Sequence, residues 1–154
     1  MKLDGCSGCG AKALRRTEKM LTREVGGHSF RAKVPATRCG RCGEVLFASA
    51  DLRRFDDAVA VSLLGAGITR SDGLKFVRKA MGMRADELAR LLGVRPETVS
   101  RWENGKREVD LAMLAVLRQL FDERHARERP VADLLRRLQR PSHLGKTVRL
   151  KLAS

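Results

Sequence analysis

The sequence predicts a mainly α-helical protein with a small β zinc ribbon at its N-terminus, and three observations support this fold class. Four cysteines stand in two similar pairs, the stretch between the pairs alternates apolar and charged residues, and the remainder shows helical periodicity. We predict a zinc-ribbon domain over residues 1–50, a linker helix over 51–71, a helical domain over 72–122, and a basic C-terminal helix and tail over 123–154.

Each cysteine pair is followed by glycine, in Cys6-Ser7-Gly8-Cys9-Gly10 and in Cys39-Gly40-Arg41-Cys42-Gly43. Four thiolates complete a tetrahedral zinc shell with no open position, and each glycine permits a tight turn. We therefore expect a structural Zn²⁺ bound by Cys6, Cys9, Cys39 and Cys42. The alternatives are a redox CxxC, which usually accompanies a βαβ pattern that is absent here, and disulfides, which need an oxidising compartment.

A hairpin is predicted between the two cysteine pairs. Residues 17–25 and 29–34 alternate as strands do, and Gly26-Gly27 suits a two-residue turn. Residues 44–48 add a third strand. The second strand has one apolar face, which we expect to cover the metal site, made of Phe30, Ala32 and Val34. A unit this small cannot bury a sufficient core, so we expect its fold to depend on metal.

Composition points to a polyanionic partner. The formal net charge is +14, which suits nucleic acid, although a membrane surface is anionic too. No apolar run approaches the ~20 residues of a membrane span, and no signal peptide opens the chain. We expect a cytoplasmic protein with no membrane partner. We also expect no enzymatic activity, because a four-cysteine site is closed and no His/Glu pair at ligand spacing stands elsewhere.

Apolar spacing after the linker helix predicts further helices over 72–81, 84–92, 96–103, 110–122 and 131–139, followed by a basic, frayed tail over 142–154. Gly65-Ala66-Gly67 is expected to break the linker helix, and Asp110 is a natural N-cap for the helix after it. Leucine stripes predict a dimer seam, through Leu114 and Leu117 or through Leu134 and Leu138. Packing of these stripes within their own domain is the alternative.

The segment 84–107 has the local signals of two helices joined by a tight turn. Gly93 ends the first helix where a positive φ is favoured, and Pro96 stands at the first position of the second. Val99 and Trp102 anchor the second helix to a core. The residues left on or near its outer face are Arg95, Glu97, Thr98, Ser100 and Arg101, and Asn104-Gly105 turns the chain into Lys106 and Arg107.

The residues from Arg95-Pro96-Glu97 to Asn104-Gly105-Lys106-Arg107 resemble the Cro/repressor-type (XRE) helix-turn-helix, and the resemblance covers about residues 72–121. Together with the paired CxxCG sequences, the architecture resembles MqsA-type (YgiT-type zinc finger) antitoxins and transcriptional regulators over roughly residues 3–121, and the C-terminal tail lies outside the resemblance. This resemblance implies a five-helix repressor-type domain, a homodimer on palindromic double-stranded DNA, and repression of the protein's own operon. It also implies a toxin protein as a possible partner of the zinc module.

Carried over by position, the recognition helix spans residues 96–103, with Arg101 paired to guanine O6 and N7. Glu97 accepts from a base amino group or orients Arg101. The remaining contacts are to phosphate or to the groove wall, from Arg95, Thr98, Ser100, Asn104, Lys106 and Arg107. Where the family often has Thr/Ser-Gln, this chain has Arg84-Ala85. Ala85 cannot make the glutamine contact, although Arg84 can reach phosphate.

These inferences predict a sequence-specific DNA-binding transcriptional regulator, an autorepressor with a structural zinc module and the antitoxin of a type II toxin–antitoxin pair. The alternative is an interaction protein that mainly sequesters a toxin through its zinc module, with DNA binding secondary.

Overall fold

The computed structural model describes residues 5–67, 71–124 and 144–151. Two long strands open the described chain, five helices follow, and a last short strand returns to the sheet. The strands are β1 (Leu14–Val25), β2 (His28–Cys39), β3 (Val45–Leu46) and β4 (Thr147–Arg149). The helices are α1 (Ser49–Ala66), α2 (Ser71–Ala80), α3 (Ala85–Leu91), α4 (Pro96–Glu103) and α5 (Leu111–Arg124). None of these helices combines the length and the apolar character that crossing a bilayer demands.

The hairpin of β1 and β2 is longer than the sequence predicts. The strands pair antiparallel without interruption from Val25 opposite His28 to Leu14 opposite Cys39, and both turn glycines have positive φ. The predicted second strand ends at residue 34, and the next residue, Pro35, has no N–H to donate to a ladder. Both β3 and β4 pair with the edge of β2 that faces away from β1, but neither lies opposite residue 35. Proline is therefore tolerated at this position, where no partner strand requires its N–H.

Two short strands complete the sheet on the other side of β2. β3 pairs antiparallel with β2 through Thr37 and Arg38, and it is shorter than the predicted strand over 44–48. β4 pairs parallel with β2, placing Ser29 opposite Thr147 and Arg31 opposite Arg149. The prediction of a frayed tail over 142–154 is therefore wrong for residues 147–149, because β2 offers an edge that these residues satisfy.

The sheet and the helices share one hydrophobic core. The apolar face of β2 packs into the same cluster as Phe55, Val59 and Leu63 of α1 and buried residues of α2 to α5. The prediction that this face covers the metal site is wrong, since Phe30, Ala32 and Val34 face α1 and the helical core. Because displacement of β2 would expose the core of the helices, we expect the sheet and the helices to unfold together.

Two polar contacts fix the hairpin against the helices. Gly26 at the turn donates its backbone N–H to Asp72 Oδ2 at the start of α2, at 2.8 Å. Arg23 of β1 forms an ion pair with Asp56 of α1, at 2.8 Å. The turn end of the hairpin therefore lies at the N-terminus of α2, and the cysteine end lies at the other end of the sheet.

The helix predicted as a linker over 51–71 begins at Ser49 and ends at Ala66, where Gly67 adopts φ 70°. The helix therefore ends within the Gly65-Ala66-Gly67 segment, as the sequence predicts. One face of the helix is buried from Phe55 to Ala66, and the fully buried Arg118 of α5 donates a 3.0 Å hydrogen bond to the carbonyl of Val61. These contacts make α1 a central part of the core.

The N-terminus of α5 is capped as the sequence predicts, with Met113 N donating to Asp110 Oδ1 at 2.8 Å. Leu114 and Leu117 are 4% and 1% exposed within this chain, so they cannot carry a subunit seam and that prediction is wrong. The packing alternative holds for this pair. The predicted helix over 131–139, with Leu134 and Leu138, lies outside the described residues.

Candidate metal centre and nucleic-acid interface

The two cysteine pairs form equivalent backbone turns. The N–H of Gly10 donates to the carbonyl of Cys6 at 2.8 Å, and the N–H of Gly43 donates to the carbonyl of Cys39 at 3.0 Å. Both glycines adopt positive φ, 69° and 77°, which other residues rarely do. The glycine after each pair is therefore required by the backbone, and the turns bring both sulfurs of a pair to one side.

The four sulfur atoms lie within 4.8 Å of one another. Cys6 Sγ is 3.5 Å from Cys42 Sγ, and Cys9 Sγ is 3.7 Å from Cys39 Sγ. A tetrahedral ion with metal–sulfur bonds of about 2.3 Å separates its sulfurs by ~3.8 Å. The cluster therefore fits a four-coordinate metal site. All four cysteines are free thiols, so the disulfide alternative does not hold in this structure.

Backbone N–H groups prepare one of the thiols for metal binding. The N–H groups of Cys42 and Arg41 point at Cys39 Sγ and lower the pKa of that thiol to about 6. The Arg41 contact is 3.4 Å long. A thiolate is the form that binds metal, so this loop favours the ligand state near neutral pH.

Glu44 is an acidic neighbour of the cluster that the sequence did not predict. Glu44 Oε2 accepts hydrogen bonds from Gly8 N at 2.9 Å and from Cys6 Sγ at 3.0 Å. The carboxylate raises the pKa of Cys6, with desolvation adding to the effect. Glu44 therefore ties the two cysteine turns together. The only indication of this role in the sequence is the position of Glu44 directly after the second CxxCG sequence.

Helices α3 and α4 are joined by a four-residue turn, and Pro96 occupies the first turn of α4 as the sequence predicts. Leu88 and Ala89 of α3 are buried, as are Val99 and Trp102 of α4. The two predicted anchors of α4 are thus confirmed as core residues. With one face held in the core, α4 exposes the other.

All but one of the predicted DNA-contacting residues lie on α4 or directly beside it in the chain, and Arg84 lies at the N-terminus of α3. The exposed residues are Arg84, Arg95, Glu97, Ser100, Arg101, Asn104, Lys106 and Arg107, and Thr98 is half-buried. Three of them, Arg84, Ser100 and Asn104, have intramolecular partners. Arg84 pairs with Asp86 at 3.1 Å, and the amide of Asn104 donates to the carbonyl and hydroxyl of Ser100 at 2.8 and 3.2 Å. The Asn104 amide therefore closes the end of α4.

A buried ion pair that the sequence analysis missed fixes the C-terminal end of α4. Arg78 of α2 contacts both carboxylate oxygens of Glu103, with Nη2 at 3.1 Å from Oε2, and donates to the carbonyl of Met83 at 2.7 Å. The side chains are 10% and 8% exposed. Arg78 occupies a core-facing position in the helical series of Leu74, Val77 and Met81, and a charged residue there is the signal for a buried partner.

The match to a known family falls on these helices. Residues 74–126 match the family model described as helix-turn-helix. The chain contains a helix-turn-helix domain. Neither a curated protein nor a solved structure matches the chain significantly. The domain begins within α2 and extends beyond α5, so it includes both the exposed face of α4 and the ion pair that holds it.

Proposed function

We propose that this protein is a sequence-specific DNA-binding transcriptional regulator that carries a structural zinc ion. The observation that carries the proposal is the position of α4 in the helix-turn-helix domain. Two buried side chains and a buried ion pair hold this helix rigidly. Its other face presents guanidinium, carboxylate and hydroxyl groups, which are the groups that read base edges and bind phosphate.

Arg101 is the proposed base-reading residue, with its guanidinium paired to guanine in the major groove. Lys106 and Arg107, in the loop after α4, would bind phosphate and set the position of the helix. Arg84 is a weaker candidate for phosphate binding, because Asp86 already neutralises part of its charge. The expected ligand is palindromic operator DNA near the protein's own gene.

For the metal centre, we propose zinc held by Cys6, Cys9, Cys39 and Cys42. The close spacing of four sulfur donors, all within 4.8 Å of one another, and the lowered pKa of the Cys39 thiol support this choice. Such an ion would stabilise the fold at the cysteine end of the sheet. With four thiolates around it, it would have no open coordination position. We therefore propose a zinc ribbon with a structural role and no enzymatic activity.

We propose a homodimer, since one recognition helix reads only a few base pairs and a palindrome needs a two-fold protein. On α5, the large apolar residues that are exposed are Leu111 and Val116, each 45% exposed. They replace the buried leucines as candidates for the seam. Sedimentation of the free protein and of its DNA complex at micromolar concentration tests this point.

Substitution on α4 tests DNA recognition, after in vitro selection has provided an operator sequence. Arg101→Ala is expected to lose ~1–3 kcal/mol of binding free energy and to relax the preference at one guanine per half-site. Lys106→Ala, the matched phosphate-contact variant, should weaken binding to all sequences alike and reduce the salt dependence. Unchanged operator affinity of Arg101→Ala in anisotropy titrations would refute the base-reading role.

A second function, toxin neutralisation, is favoured by the resemblance to MqsA-type antitoxins and by one structural observation. β1 is a 12-residue strand that, within the described part of the chain, pairs only with β2, so its other edge is open. An open edge can accept a strand from another protein. Co-expression of the full chain with the product of the neighbouring gene tests this role. Failure to co-purify, with growth still arrested, would leave a regulator alone.

A further inference from the structure

The outer face of the sheet carries a block of unpaired positive charge. Because side chains alternate along a strand, the residues between the buried positions of β2 point away from the helices, and Arg31 and Lys33 are exposed there. On β4 and its continuation, Val148 and Leu150 pack toward the core, so Arg149 and Lys151 point outward.

The parallel register brings these four residues together. Arg31 lies directly opposite Arg149, and the Leu150 N–H donates to the Arg31 carbonyl at 2.7 Å, so the pairing continues past β4. Neighbouring strands are about 4.8 Å apart, and alternate residues on one strand are ~6.6 Å apart. We name this set the basic block; its members are Arg31, Lys33, Arg149 and Lys151.

The basic block has no ion-pair partner among the described residues, although Glu24 and Glu18 of β1 lie on the same face, opposite Ser29 and Pro35. No ion pair there includes any of its four members, although other arginines of the chain do form ion pairs. On β1, the same face presents Met20 opposite Lys33 and Thr22 opposite Arg31. Like charges directly opposite on adjacent strands destabilise a sheet. The Arg31–Arg149 pairing is therefore repulsive, and an anionic ligand would relieve this repulsion.

We propose that the basic block is a second DNA-contact surface, which binds backbone phosphates that the recognition helix does not reach. The proposal rests on the proposed function for the identity of the polyanion. Charge complementarity supports it. The block consists of four cations without partners, and the described segment 144–151 contains three basic residues and no acidic residue. Contacts of this kind add affinity and salt dependence without sequence preference.

Removal of one charge from each strand tests the proposal. Arg31→Ser/Arg149→Ser should bind both the selected operator and a random 20-base-pair duplex more weakly. Loss of two phosphate contacts lowers the salt slope by ~1.8. Between 50 and 200 mM salt, the affinity of the original protein should therefore fall roughly 12-fold more than that of the variant. The preference for operator over random duplex should stay unchanged.

A matched control removes two exposed positive charges elsewhere, in Lys12→Ser/Arg53→Ser. This control variant should keep nearly the full salt slope, because the slope depends on the number of phosphate contacts and not on the net charge of the protein. Thermal unfolding reports on folding: the block variant should unfold at the same or a higher temperature, since it loses a repulsion. If its slope on both duplexes equals that of the original protein, the proposal is wrong.

The outcomes separate this proposal from the proposed function. If the original protein binds DNA without sequence preference, the proposed role as a sequence-specific regulator is refuted. The salt slopes on the random duplex would still show whether the basic block binds phosphate. No binding of any duplex would refute both. Unchanged DNA slopes with loss of binding to phosphatidylglycerol vesicles would assign the block to a membrane surface and overturn the DNA assignment.

Discussion

Substitution of Phe30 by alanine tests whether the sheet and the helices fold as one unit. Phe30 is 0% exposed and belongs to the same cluster as buried residues of every helix. Loss of a buried phenylalanine side chain costs about 3–5 kcal/mol, from lost transfer free energy and the cavity left behind. Domains of this kind unfold with ~5–15 kcal/mol in total, so the variant should lose a large share of its stability.

The single tryptophan makes the assay selective. Trp102 lies in α4 and is 4% exposed, so its fluorescence reports on the helical part of the chain. With an m value of about 2 kcal/mol per molar urea, Phe30→Ala should lower the Trp102 midpoint by ~1.5–2.5 M. Met20→Ala, at an exposed position of the same sheet, should change stability by less than ~0.5 kcal/mol. An unchanged Trp102 midpoint in Phe30→Ala would refute the shared core.

Three further predictions follow from the same contacts. Chelation of the metal should lower the Trp102 unfolding temperature as well as melt the hairpin, and calorimetry showing an unaffected helical transition would contradict this. Glu103→Gln should cost about 3–5 kcal/mol, because it leaves a buried guanidinium uncompensated, and urea titration measures the loss. Partial desolvation acts to raise the pKa of Asp86, but Arg84 and Arg90 hold it below the usual 3.8. The stability that Asp86→Asn removes should thus be present at pH 7 and disappear as pH falls below 3.8, which thermal scans across pH would detect.

The parts of the molecule with local signals were predictable from sequence. The cysteine turns depend on residues within five positions of each other, and the anchors of α4 follow from apolar spacing. Gly26-Gly27 similarly specifies the hairpin turn from two neighbouring residues. The family match and the clustered sulfurs confirm the helix-turn-helix domain and a potential metal site.

The parts that depend on distant contacts were not predictable. The pattern of β2 shows that Phe30 is buried but does not show what covers it, so a small separate module was a reasonable expectation. The strand at 147–149 has only one apolar residue between two polar ones, which is too short for a periodicity. Arg78 could be recognised as misplaced on an apolar face, but its partner Glu103 stands 25 positions away.

The return of β4 to β2 gives the order of synthesis a physical consequence. His28 and its hydrogen-bond partner Gly145 are 117 residues apart in the chain. At translation rates of ~5–20 residues per second, β4 is synthesised roughly 6–23 s after β2, so this edge of β2 stays unpaired for that time. During that interval a nascent chain presents an unpaired strand edge, the kind of surface on which chains associate with one another. Slow synthesis or early termination therefore lengthens the exposure, and soluble yield should depend on completion through residue 151.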